Sequence, residues 1–413
     1  MPSSSPASRA AWTMLLVLIS GFALSQAFRT AAGIMAPPLQ QAFGLTPQQL
    51  GLFAGAFHFA FGALQLFMGM GIDVYGVRRT VLAVFPLAIV GALVTASADS
   101  YAVLLLGQAL TGIGCAPAFL VCTVFIARSF PAGRYASING AALGIGSVGL
   151  LLTGTPLAWV IEAWGWRSGY VALASCAALA WLAILLLVRE ELPATAGGRP
   201  DVLGALRGYG ELFRLPHTLG IIGLAVFTYA SFISLRGLWL GPVLIDRYGF
   251  SLVETGNVAI AVSVLGMVGP PLFGRLDPGD RTRRRWIIGF TIACAVIFAL
   301  MALRVPAAVE VGLSLAIGIV SGYMVMQYAD VRAAYPSHMT GRAMAVFTMA
   351  MFLGVALMQW LTGLAASAAT VLGVETYTAV FGAIAGFLLL GTALYRFLPG
   401  PRAVSAETAQ STP

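Results

Sequence analysis

Gly69-Met-Gly-Ile-Asp73-Val-Tyr-Gly76-Val-Arg78-Arg79 is the stretch that decides how the rest of this chain is read. It separates two apolar segments, 48–68 and 80–98. Each is close to the ~20 residues a helix needs to cross a bilayer. Hydrocarbon cannot solvate Asp73 or the paired arginines, so a polar link this short belongs at a membrane surface. Its glycines, Gly69, Gly71 and Gly76, allow a tight turn and close helix approach. Arg78 and Arg79 mark the cytoplasmic side under the positive-inside bias.

Composition agrees. The chain has 413 residues, 59% of them hydrophobic and only 9% charged, where soluble domains carry ~25% charge. The apolar segments do not alternate with polar residues as barrel strands do, so the class is all-α membrane protein. A net charge of +8 in a soluble chain would suggest nucleic acid. Here the 23 basic residues, all arginine, read as topology signals, and no nucleic-acid partner is expected. Cys115, Cys122, Cys176 and Cys294 lie in apolar segments without disulfide or metal spacing. No cofactor is expected.

Twelve spans follow: 11–36, 48–70, 80–98, 102–127, 136–161, 168–188, 218–243, 253–274, 286–304, 308–333, 341–367 and 375–397. The first apolar run exceeds a signal-peptide core of about 7–15 residues, so it reads as an uncleaved helix. Segment 189–217, with Pro193, Gly197, Gly198 and Pro200, is the one long polar interior stretch. It divides the chain into a six-helix unit at 1–188, a cytoplasmic linker at 189–217 and a second six-helix unit at 218–413 with a short disordered tail. Placing both termini in the cytoplasm leaves only Arg167, Arg247 and Arg304 outside. The halves also repeat. Gly44–Gly51 (GLTPQQLG) corresponds to Gly249–Gly256 (GFSLVETG), and Pro37 to Pro242. Arg275, Asp277 and Arg281–Arg285 form a degraded copy of the opening stretch.

Gly69, Asp73, Gly76, Arg78 and Arg79 resemble the loop signature between the second and third helices of the major facilitator superfamily. Val74 stands where that signature carries a basic residue. The resemblance implies a major facilitator fold of twelve transmembrane helices in two six-helix repeats. It also implies that the Gly69–Arg79 loop and its copy at Arg275 and Asp277 gate the inner side, with a solute site between the halves.

Arg29 in the first span and Arg236 in the seventh each precede a proline, at near-equivalent positions of the repeat. A guanidinium facing lipid costs ~2.5–3.5 kcal/mol even on lenient insertion scales, so both are expected to face a central cavity. Neither span carries an acid to neutralise them, and two unpaired guanidinium forks make an anion site. The layout resembles that of organic-anion members of the superfamily, notably organophosphate–phosphate exchangers. Gln26, His58, Tyr229, Tyr323, Gln327 and Gln359 are the remaining candidate solute ligands, and His58 also a candidate proton site. No Walker loop, Gly-x-Ser-x-Gly or His-Glu-x-x-His occurs, which removes the usual enzyme signals.

The expectation is therefore a monomeric secondary transporter in a bacterial inner membrane, not an enzyme. It takes up a small organic anion, a carboxylate or organophosphate, with protons or a counter-anion. The alternative is a carrier of larger amphipathic solutes, in drug efflux or siderophore uptake, with Phe57, Phe59, Phe61, Trp239, Met324, Met326, Met349 and Met351 as an adaptable apolar lining.

Overall fold

The computed structural model describes residues 6–131, 134–189 and 210–399. The expected linker 189–217 and tail therefore fall largely outside the described residues. The rest is helical, and twelve crossings are resolved. They are α1 (Pro6–Phe43), α2 (47–75), α3 (77–96), α4 (101–129), α5 (135–164), α6 (166–187), α7 (Pro216–Arg247), α8 (Leu252–Arg275), α9 (Asp280–Met301), α10 (Ala307–Ala334), α11 (Ser337–Leu372) and α12 (Thr376–Phe397). Among the described residues, ten apolar stretches are long enough to span a membrane by themselves. One of these covers both α5 and α6, and α2 opens with a run of 17 residues. This is a multi-pass membrane protein, with large apolar side chains such as Phe59, Trp159, Trp164 and Leu179 exposed on its outer faces.

The Gly69–Arg79 stretch is not an extended link. Helix continues to Tyr75, breaks at Gly76 alone (φ 82°, ψ 169°) and resumes at Val77. Such a backbone is essentially open only to glycine. Water at a membrane face satisfies Asp73 and Arg79 without forcing the backbone out of a helix, so polarity misplaces the helix ends. Gly279 takes nearly the same conformation (φ 79°, ψ 172°) before α9. The two halves thus turn the corner by one device.

The other repeat has a local cause too. Gly44 (φ 62°) and Gly249 (φ 71°) end the preceding helices in the left-handed region. Thr46 and Ser251 then cap α2 and α8, each accepting from the N–H three residues on, while Gln49 and Glu254 reach back to the cap. Each is a reciprocal capping box.

Neither Pro37 nor Pro242 ends its helix. α1 runs on to Phe43. α7 makes π-helical turns at Leu235–Trp239 and Val243–Arg247 on either side of Leu240–Pro242. A proline has no N–H to donate, and widened turns absorb the missing bond.

The halves meet through α1 with α7, α2 with α11 and α5 with α8. These contacts lie toward the end bearing Pro37 and Pro242, called here the far end. Gly33 and Gly241 bring α1 and α7 into backbone contact, since a Cβ on Gly33 would lie 2.6 Å from the Arg236 carbonyl oxygen. Gly154 and Gly256 do the same for α5 and α8. Small residues at a crossing are what bring membrane helices together when no hydrophobic force drives them.

Candidate functional site

Both intramembrane arginines are buried at the seam between the halves, Arg29 at 6% exposure and Arg236 at 1%. Neither snorkels to a surface. Their surroundings differ, however, so the pair expected from sequence is not symmetric.

Arg236 is held through its Nε and Nη2. Its Nε donates to the Ala259 carbonyl at 3.1 Å and to Ser263 Oγ at 2.8 Å, both on α8. Its Nη2 crosses to the other half, to the Leu150 carbonyl at 2.9 Å and Thr153 Oγ1 at 3.3 Å. α5 is irregular there, with helical pieces at Gly149–Leu152 and from Thr155, so its carbonyls are available. Thr153 Oγ1 lies 2.7 Å from Thr30 Oγ1 on α1, which extends the bridge to the residue beside Arg29. Arg236 lacks an acid, but it is not unpaired.

Arg29 makes one hydrogen bond, from Nη1 to the Tyr229 hydroxyl of α7 at 2.9 Å. Its guanidinium carbon sits 4.6 Å from the Phe352 ring centroid and 5.1 Å from that of Phe61. The cation is therefore clamped between an aromatic of α11 and one of α2. Its Nε is buried without a partner. Among the described residues no carboxylate pairs with Arg29 or Arg236.

Several candidates gather near Arg29. Gln26 lies one helical turn earlier, with Oε1 buried and unpartnered. His58 is within electrostatic reach of Arg29. His58 Nδ1 faces the Ala54 carbonyl at 3.1 Å, so it holds the proton, and Nε2 has no partner. Gln359 is fully buried beside His58, and neither of its amide atoms makes a hydrogen bond of good geometry. Gln327 is not placed against Arg29: it accepts from Thr228 at 3.1 Å, with Nε2 unpartnered, and lies within the second half beside Ile221, Leu224, Phe347 and Tyr395. Buried polar groups almost always find partners, so unsatisfied donors and acceptors on five candidate residues stand out. Tyr323 is different. Its hydroxyl is bonded to Thr291 at 2.8 Å and its ring stacks on Phe290, within the second half.

Sequence reading missed Phe352 against Arg29, and Thr153 and Ser263 on Arg236. Spacing gives no signal for a ring or hydroxyl supplied by another helix, whether 27 positions away, as Ser263 is from Arg236, or in the other half. Of the proposed apolar lining, Phe61 is at the site, whereas Phe59 is 62% exposed on the outer face and the Trp239 N–H is bonded to Thr362.

The expected gate residues sit at the end opposite the far end. Arg78 donates from Nε to the Val188 carbonyl at 2.7 Å and from Nη2 to the Leu185 carbonyl at 3.0 Å, closing the C-terminus of α6. Asp277 holds Arg283 at 2.8 Å, and that bond, ahead of the effect of burial, keeps its carboxyl below the usual range. Asp73 and Arg275 are exposed.

Residues 17–359 match the family model of the Major Facilitator Superfamily. The chain belongs to that superfamily. A probable sulfoacetate transporter of Cupriavidus necator is 23% identical over 269 residues, and a hexuronate transporter of Bacillus subtilis 22% identical over 261. Each match covers 62% of this chain and 62% of the relative's length. The fold is that of a D-xylose-proton symporter (TM-score 0.76, 14% identity, 95% of this chain and 98% of that one). It is also that of a bacterial homologue of the lysosomal transporter Spinster (TM-score 0.69, 18% identity, 95% and 97%).

Proposed function

We propose that this superfamily member is a secondary carrier, not an enzyme, that moves a small organic anion by alternating access, with Arg29 as the ligand of the negative group. One observation carries the reading. Arg29 is a buried guanidinium with no carboxylate, one neutral hydrogen bond and an unpartnered Nε. A desolvated cation of this kind favours an anionic ligand that can take its remaining donors in fork geometry. The unpartnered polar atoms of Gln26, His58 and Gln359 suit the hydroxyl or carbonyl groups of the rest of the solute. Relatives named for sulfoacetate and hexuronate, both organic anions, support the substrate class.

Uptake coupled to protons or a counter-anion, in a bacterial inner membrane with both termini cytoplasmic and the protein a monomer, completes the proposal. The excess of arginine on the side of the Gly69–Arg79 stretch supports that orientation. The six-helix units at 1–188 and 218–413 act as the rocking bodies, and Arg78 and Asp277 brace the inner ends. Tyr323 and Arg236 belong to the scaffold of the site rather than to its ligand shell.

Uptake of labelled carboxylates and sulfonates into proteoliposomes tests the reading. Arg29→Gln should abolish saturable uptake of an anion that the unmodified chain carries. Undiminished transport in Arg29→Gln would overturn it.

A further inference from the structure

A second buried ionic cluster lies well away from Arg29, at the far end of the second half. It joins the end of α7, the end of α9 and the starts of α10 and α12. Arg247 closes α7 with its side chain only 2% exposed. Its fork engages Glu375, the N-cap of α12, from Nε at 3.0 Å and Nη2 at 2.5 Å. Nη1 donates to the Met301 carbonyl that ends α9, at 3.0 Å. Glu310, in the first turn of α10, is the leftover carboxyl. Its side chain is 0% exposed and its Oε2 is 3.6 Å from Arg247 Nη1, beyond hydrogen-bond range. Oε2 receives one bond, from the Tyr248 hydroxyl at 3.2 Å, a hydroxyl that also faces the Val305 carbonyl at 2.7 Å. Oε1 is buried without any partner.

The charges do not balance. α7 contributes Arg247 and also Asp246, which accepts from the Tyr377 hydroxyl of α12. α12 contributes Glu375 at its cap, α10 contributes Glu310, and α9 offers only a carbonyl. One guanidinium thus faces two carboxyls, Glu375 and Glu310, while Asp246 is engaged by Tyr377. Glu375 has the better claim, because Arg247 and the Thr378 N–H both bond it. An ionised Glu310 would be a fully desolvated carboxylate with one oxygen unsatisfied, which is among the costliest arrangements in a protein interior. A neutral acid there needs no counter-charge.

We propose that Glu310 is a proton-binding site, neutral in the arrangement seen, whose deprotonation draws Arg247 away from Glu375. The O–H bond of Glu310 breaks, its electron pair stays on the carboxylate, and the proton leaves to water past the partly exposed Glu375. The new carboxylate then competes for the single guanidinium, and the end of α7 loosens from the start of α12. Because α7 also carries Tyr229 and Arg236, such a loosening acts on an element that lines the seam. The inference does not depend on which solute is carried.

Infrared difference spectroscopy of the purified full-length chain in detergent tests it. The unmodified protein should show the carbonyl stretch of a protonated carboxylic acid at neutral pH, fading as the solution is made alkaline. Glu310→Gln should lack that band. Glu375→Gln, which leaves the whole fork to Glu310, should lose it at a lower pH. Coincident spectra for the unmodified chain and Glu310→Gln would overturn the assignment, as would a band in Glu375→Gln that fades at the original pH. Failure of Glu310→Gln to fold would also count against it, since the amide reproduces the shape and neutrality of the protonated acid.

Discussion

Replacing Arg236 by glutamine separates the two roles assigned to the seam arginines. The substitution removes four hydrogen bonds, two to α8 and two across to α5. Interhelical bonds in membrane proteins average ~0.6 kcal/mol by double-mutant cycles. The acceptors are not orphaned by the change, because Thr153 Oγ1 also donates to the Leu150 carbonyl at 3.1 Å and Ser263 Oγ to the Ala259 carbonyl at 2.7 Å. The expected loss is therefore about 2–3 kcal/mol. At ~2.1 cal/mol/K per residue that is on the order of 3 °C in Tm for this chain length. Arg29→Gln removes one hydrogen bond and two cation–π contacts while relieving a buried charge, so its Tm should move by less. Thermal melts in detergent, with and without a stabilising organic anion, give the readout. Arg236→Gln should melt lower yet still be stabilised by the anion. Arg29→Gln should melt near the original temperature and gain nothing from the anion. If Arg236→Gln kept its Tm and lost the anion response, the assignment of scaffold to Arg236 and ligand to Arg29 would be reversed.

Other consequences are open to the same kind of measurement. Gly76→Ala and Gly279→Ala should each destabilise by about 1–3 kcal/mol, because both put a side chain where the backbone is open only to glycine. Gly386→Ala, with open space around the position, should be silent in the same melts. Gly241→Ala drives a methyl into the Gly33 carbonyl, so the far ends of α1 and α7 should part. Increased labelling of cysteines placed at the far end would register this, and unchanged labelling would contradict the packing described. The Asp277 carboxyl is held below its usual value by Arg283, so its contribution is present above about pH 4 and is lost as pH falls through the lowered value. Asp277→Asn should flatten the acid side of the Tm profile, and a profile as steep as before would discount the pair.

The membrane class, the twelve crossings and the duplicated capping segments were legible because each rests on local chemistry. Apolar length, a Ser or Thr cap with its Gln or Glu partner, and a glycine before the cap all sit within a few residues of one another. Helix ends at the surface were less legible. Asp73 and Arg79 look like loop residues, yet water lets a helix carry them, and the break falls on Gly76 alone. The partners of Arg236 were invisible for a different reason. Two are backbone carbonyls, which every residue possesses, and only the irregular run of α5 frees one of them. Arg247 and Glu375 are 128 positions apart, and nothing in a single sequence announces such a pairing.

Each seam arginine is rooted in one half and grips the other, Arg29 reaching Tyr229 and Arg236 reaching Leu150 and Thr153. Any rocking that opens the seam at this depth must undo both grips in a single movement. An anion that took the place of the Tyr229 hydroxyl on Arg29 would cut one of them beforehand. Cargo would thereby lower the barrier to its own passage, and an empty protein would stay shut.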